Sequence, residues 1–310
     1  MLTSHHRRSP QLRPLDVRQH QQDGQLYFAL RDPLQLAEHT LLVPQALAAV
    51  LAFCDGEHDA AALAAAFERH YGAQIDVAAV EELLSALDEN YLLDNARAAA
   101  AMAHVLDAYR TAPSRPPLIA GRGYPDDPAE LHAFLNNYLE AVDSVPRPIE
   151  EWPRWAGLLS PHIDYGRGGA VYAEIWKHAA EAARAADLVI LLGTDHYGDD
   201  PITLTRQSYA TPYGTLPTEQ EIVDELAALL GEEAAFAGEL RHRDEHSLEL
   251  VAVWLHHMRG GEPVDVVPIL TGTFHRFMQN GSGHSGDVQL GALLEALQAL
   301  AGDRRVLGVA

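Results

Sequence analysis

Three short segments place a histidine directly after an apolar run that reads as a β-strand. They are Pro161-His162-Ile163-Asp164-Tyr165, Gly193-Thr194-Asp195-His196-Tyr197 and Thr271-Gly272-Thr273-Phe274-His275. In open α/β sheets, ligands bind outside the carboxyl ends of the strands. Neutral imidazole is the commonest protein ligand for zinc, iron and copper, and a nearby carboxylate completes or orients such a set. His162 and His196 are therefore candidate ligands of a divalent metal, iron, copper or zinc, with Asp164 and Asp195 as candidate catalytic carboxylates. A histidine in a loop is often merely structural, and some of the 17 in this chain fall in loops by chance. What separates His162 and His196 from the rest is a shared strand-end position, each beside an Asp and a Tyr.

A further cluster is Asp244-Glu245-His246-Ser247-Leu248-Glu249. Its structural reading is an acidic helix start with Asp244 as N-cap. Its chemical reading makes Glu245 and His246 candidate catalytic groups that point into the cleft as ligand, base or orienting partner. His242 and His246, four apart, match a helical metal pair only if the helix begins earlier. No His-Glu-x-x-His is present, so a zincin site is unsupported. Gly166-Arg167-Gly168-Gly169 precedes an expected helix and reads as a close backbone turn beside His162, without Walker or dinucleotide spacing. His256 and His257, late in a helix, read as partners of its C-terminal dipole, and His284 as a loop residue. There is no Gly-x-Ser-x-Gly elbow, and Cys54 falls in the wrong half of the chain for a nucleophile at this site.

These residues need a sheet to gather them, and the second half of the chain supplies its pattern. Apolar runs at 156–160, 187–192, 264–270 and 305–310, and a shorter one at 201–205, alternate with helical stretches at 169–186, 219–230, 245–258 and 288–301. That alternation predicts an α/β domain over residues 151–310, with a mostly parallel sheet flanked by helices. Residues 96–150 read as a helical, proline-studded connector. Residues 15–95 form a small α+β module. A hairpin turns at Asp23-Gly24, and three helices follow, the first from Pro44, the second from about Asp59 and the third after Asp76. This winged-helix-like shape carries Arg69 as its only Lys or Arg between Leu41 and Asn95, which argues against DNA binding. The whole chain has a formal net charge of −22, so nucleic acid is excluded as a partner. No apolar run is long enough for a membrane span, and no secretory h-region is evident, so a cytoplasmic location is expected. The single cysteine excludes an internal disulfide.

The linked motifs Ser160-Pro-His-Ile-Asp-Tyr165, Leu192-Gly-Thr-Asp-His-Tyr197, Thr211-Pro-Tyr-Gly-Thr215, Asp244-Glu-His-Ser-Leu-Glu249 and Val267-Pro-Ile-Leu270 resemble, in order and context, those of the Memo-like family. Its prokaryotic members are named AmmeMemoRadiSam system protein B. The resemblance covers about Trp155 to Ala310 and implies a fold similar to the class III extradiol dioxygenases. It also implies that His162 and His196 are metal-site residues, that His246 lies at the same cleft, and that AMMECR1-like and radical SAM proteins of the same system are partners. Two functions follow from it: a non-haem iron or copper redox enzyme, or a non-catalytic module that grips a peptide or protein in the same cleft. The first module is similar to the PqqD-like peptide-recognition fold. Family members continue past Ala310 with segments that add an Asp, a His and a Cys to the site. The chain is accordingly expected to be truncated and, with two imidazoles alone, to hold metal weakly or not at all.

Overall fold

The computed structural model describes residues 9–37, 39–145, 153–198, 200–272 and 288–310, in two compact units, Met1–Ala108 and Tyr109–Ala310. His275, His284 and the prolines at 146 and 148 lie outside the described residues.

The first unit opens with the hairpin β1 (Asp16–Gln22) and β2 (Gln25–Arg31). Asp23 and Gly24 turn it with φ of 52° and 78°, the left-handed pair that an Asp-Gly turn favours. A third strand, β3 (Leu41–Pro44), pairs antiparallel with β2, so there is one strand more than the sequence predicts. Pro44 is the last residue of that strand and the N-cap of a single turn, α1 (Gln45–Ala48), rather than the first residue of a long helix. The turn runs on into a 3-10 segment, Ala49–Phe53. Asp59 and Asp76 cap α2 (Ala60–Tyr71) and α3 (Val77–Glu89) by accepting from Ala62 N and Ala78 N. Leu63, Phe67, Val80, Leu83 and Leu87, at helical spacing, close a core with Leu30 and Val43 of the sheet. A last helix, α4 (Ala96–Thr111), carries the chain into the second unit.

The second unit is α/β. Asp127 caps α5 (Pro128–Glu140), with the proline in its first turn. Then follow β4 (Trp155–Leu158), α6 (Tyr165–Ala185), β5 (Leu188–Thr194), β6 (Thr203–Leu204) and a small hairpin, β7 (Tyr209–Thr211) and β8 (Gly214–Leu216). Three helices come next, α7 (Gln220–Leu230), α8 (Glu232–Phe236) and the four-residue α9 (Arg241–Asp244). The order closes with α10 (Ser247–Met258), β9 (Asp265–Thr271), α11 (Val288–Leu300) and β10 (Val306–Val309). The sheet order is β4-β10-β5-β9-β6, with β4, β10, β5 and β9 parallel and β6 antiparallel. Side chains of β5 alternate between faces. Val189 and Leu191 pack in the core that holds Trp176 of α6 and Trp254 of α10. Leu188 and Ile190 pack in the opposite core, with Leu226 of α7 and Leu297 of α11. Both faces are covered, which is why these strands read as continuous apolar runs.

Three details depart from the sequence reading. The glycines at 166, 168 and 169 lie inside the first turns of α6, which begins at Tyr165 behind Asp164 as N-cap. A Cβ at Gly169 would collide with the ring of Tyr138, so this glycine lets α5 pack close on α6, while Gly168 makes room for Ile163. The helix expected from Glu245 begins two residues later, as α10 at Ser247, and a separate turn, α9, precedes it. Glu245 stands extended in the break (φ −92°, ψ 130°), and Asp244, instead of capping, pairs with Arg243.

Candidate metal centre

Because β4, β5 and β9 run parallel, the segments after them emerge at one edge of the sheet. His162 follows β4, and His196 follows β5. A third imidazole, His246, reaches the same place from the break before α10. Gly193 permits this approach: a Cβ there would stand 2.6 Å from Leu248 Cγ and 2.7 Å from Ser247 Oγ. Ser247 Oγ donates to Thr194 O at 3.0 Å, tying the start of α10 to the end of β5.

The ring centres lie 5.3 Å apart for His162 and His196, 6.2 Å for His162 and His246, and 4.8 Å for His196 and His246. Imidazoles that share one metal through bonds of ~2.0–2.2 Å have centres about 4.5–6 Å apart. His162–His196 and His196–His246 fall within this range, whereas His162 and His246, at 6.2 Å, stand just beyond it. Donor atoms of His196, Glu245 and His246 also all lie within 4.8 Å of one another, so this group could hold a metal.

Glu245 organises the set. It is fully buried, and its carboxylate accepts from the backbone N–H of His196 (3.0 Å), His246 (2.8 Å) and Ser247 (2.9 Å). His196 Nδ1 lies 3.0 Å from both carboxylate oxygens, and His246 Nδ1 lies 3.2 Å from Oε1. Burial alone would raise the carboxyl's pKa. The contacts with His246, with the amides of His196 and Ser247 and with the His196 ring outweigh it and hold the group down at about 2. An anion that faces Nδ1 of two imidazoles keeps a proton there and leaves Nε2 of each available as a donor. Glu245 also pushes His246 above the ordinary imidazole value, whereas burial, with His196 and His246 close by, pushes His162 below it.

The two aspartates are engaged elsewhere. Asp195 is buried, accepts from Arg241 Nε at 2.5 Å and from Tyr197 N at 3.1 Å, and so braces the loop that carries His196. Asp164 sits on the cleft rim, caps α6 and pairs with Arg167.

Three other histidines belong to the scaffold. His242 is fully buried, with Nδ1 2.7 Å from Tyr209 OH and Nε2 3.0 Å from Thr203 O, so both ring nitrogens are spent. Burial drives its pKa down to about 3. His256 binds Thr211 Oγ1 and Gly261 O, and His257 binds Tyr213 OH. Burial lowers the pKa of both, so they stay neutral and are not the charged dipole partners that the sequence suggested.

The cleft has a volume of about 960 Å³. The three imidazoles line it together with apolar residues that include Leu192, Leu250, Leu293 and Leu297. A buried pair tied to the backbone of Glu245 escaped the sequence reading. Arg115, in the strap before α5, is fully buried against Glu249, whose carboxylate also accepts from Leu118 N, Ile119 N and Tyr124 OH. The available signal was Glu249 itself, one helical turn beyond Glu245 in the same motif.

A family model described as Memo-like protein matches residues 115–285, more than half of the chain. The matched span includes the strap and α5 as well as β4, β5, β6 and β9 of the sheet. Similar sequences include a MEMO1 family protein of Aquifex aeolicus, 28% identical over 232 residues that make up 74% of this chain and 59% of the relative. A MEMO1 family protein of Methanosarcina acetivorans is 28% identical over 194 residues, 62% of this chain and 64% of that one. One from Desulfurococcus amylolyticus is 30% identical over 166 residues, 51% of this chain and 56% of its own. The chain thus spans less than two thirds of the length of these curated relatives.

Proposed function

The chain belongs to the Memo-like family, and from that premise we propose that its second unit is a metal-dependent redox enzyme. In this reading His162, His196 and His246 hold one iron or copper ion, and Glu245 orients two of them. The observation that carries it is the buried carboxylate of Glu245 facing Nδ1 of both His196 and His246. Carboxylate–imidazole pairs of this kind fix the tautomer and raise the basicity of metal-binding histidines. Iron or copper, when bound, would supply the one-electron exchange that none of these side chains can. His162, kept neutral by burial, is available as a donor at neutral pH. Asp195 acts by bracing the His196 loop through Arg241, and Asp164 with Arg167 meets the polar end of a substrate at the rim. The leucine walls exclude water and receive its apolar part. The fold relationship that accompanies this reading is to the class III extradiol dioxygenases, with a PqqD-like first unit as a docking module. AMMECR1-like and radical SAM proteins are the partners it implies.

Leu159 and Leu294, 79% and 50% exposed at the cleft, favour a second reading, in which the same cleft grips a peptide without catalysis. Elemental analysis of chain purified without chelator or affinity tag, paired with dioxygen uptake in the presence of ascorbate, separates the two. The redox reading expects near-stoichiometric iron or copper and uptake that disappears in His196→Ala. Metal-free protein with no uptake after iron or copper is added back would sink it.

A further inference from the structure

Arg115 is held from three directions. Its backbone is stitched to the hairpin, with Arg115 N donating to Ser208 O at 2.7 Å and Ala210 N donating to Arg115 O at 3.0 Å. One end of its guanidinium pairs with Glu249 on α10. The remaining donors go to two backbone carbonyls, His242 O at 2.9 Å from Nε and Glu245 O at 2.8 Å from Nη2. The first carbonyl lies within α9, and the second is that of Glu245 itself, in the break before α10 where the chain leaves helical geometry. Carbonyls at such a break have no partner within a helix, and burial without one is costly. A single planar fork satisfies both and joins them to α10.

We propose that Arg115 is a positioning residue for the metal centre. By clamping α9 and the break that follows, it sets the direction in which Glu245 presents its carboxylate to His196 and His246. The proposal rests on the metal-centre reading above for its effect on metal, but not for its effect on Glu245. Lysine cannot replace the fork. An ammonium neutralises Glu249 yet lacks the fixed, spread donors that bond two carbonyls and a carboxylate at once.

The test uses the full chain and Arg115→Lys. Should that variant fail to fold, Arg115→Met/Glu249→Gln serves instead, because it leaves no unpaired buried charge. Two readouts are taken. Hydrogen–deuterium exchange follows short peptides over residues 195–198 and 244–248, whose amides donate to Glu245, and over β5 and β9 as internal reference. Calorimetry follows Zn²⁺ binding. Faster exchange confined to the two Glu245-bonded peptides is expected, with β5 and β9 unchanged and Zn²⁺ affinity lower by about 10- to 100-fold. Unchanged exchange at those amides, or a uniform rise across the unit, overturns the proposal, since a purely structural role loosens everything together. Local loosening with unchanged Zn²⁺ affinity overturns the link to metal. If the unaltered chain takes up no Zn²⁺, the metal reading fails, and the exchange pattern alone decides the clamp.

Discussion

Replacing Glu245 with Gln keeps the side chain's shape but removes the anion that fixes a proton on Nδ1 of His196. Metal affinity should fall by about 10- to 100-fold, the usual effect of losing a carboxylate behind a histidine ligand. A competition titration against a chelating dye measures it, and an affinity within threefold of the unaltered chain would remove Glu245 from the site. Metal must also displace protons from the imidazoles. Because Glu245 holds His246 above the ordinary imidazole value, affinity should climb with pH through and beyond that value. His162 and His196 were legible from strand-end position, and Glu245 and His246 from their motif. Arg115 was not, because its partners, Glu249 and the carbonyls of His242 and Glu245, are far along the chain and only the fold brings them together.

Gly193 and the break between α9 and α10 are where elements meet to make the cleft. Gly193→Ala forces Leu248 and Ser247 away from β5, at a cost of about 1–3 kcal/mol for an overpacked contact. The denaturation midpoint should drop, and metal affinity with it, because the same displacement moves His246. A midpoint that falls while metal affinity holds would show that His246 is not placed by this contact. In α9, His242 makes stability depend on pH. Its folded value of about 3 lies below the ordinary 6.5, so between these values the unfolded chain takes up a proton that the folded chain refuses. Stability is therefore complete above 6.5 and falls toward 3, and His257, at about 4, adds to the loss. Each contributes a slope of about 1.4 kcal/mol per pH unit. Gln can make both of the imidazole's hydrogen bonds without titrating, so His242→Gln should remove one such slope between pH 6 and 4. All four tryptophans fall within the second unit, and denaturant titrations followed by their fluorescence report it. An unchanged slope would contradict the assignment. The strands and long helices were legible because apolar periodicity survives in a sheet covered on both faces. The α9–α10 break was not, because Asp244-Glu245 has the composition of an ordinary helix start, and only hydrogen bonds to Glu245 distinguish it.

At the scale of the molecule, the residues of the centre all belong to the unit Tyr109–Ala310. Its α/β character and its family were readable from linked motifs. The reach of the family match back to residue 115 was not, since a proline-rich strap has no periodicity to betray a packed role. Three imidazoles sharing one ion are the core of the proposed centre. The most direct measurement is calorimetric titration of the tag-free chain with Zn²⁺ as a redox-silent probe, repeated on His162→Ala, His196→Ala and His246→Ala. Three nitrogen donors should bind one equivalent of metal, and the loss of any one should weaken binding by at least about tenfold. No uptake by the unaltered chain, or uptake indifferent to all three substitutions, would contradict it.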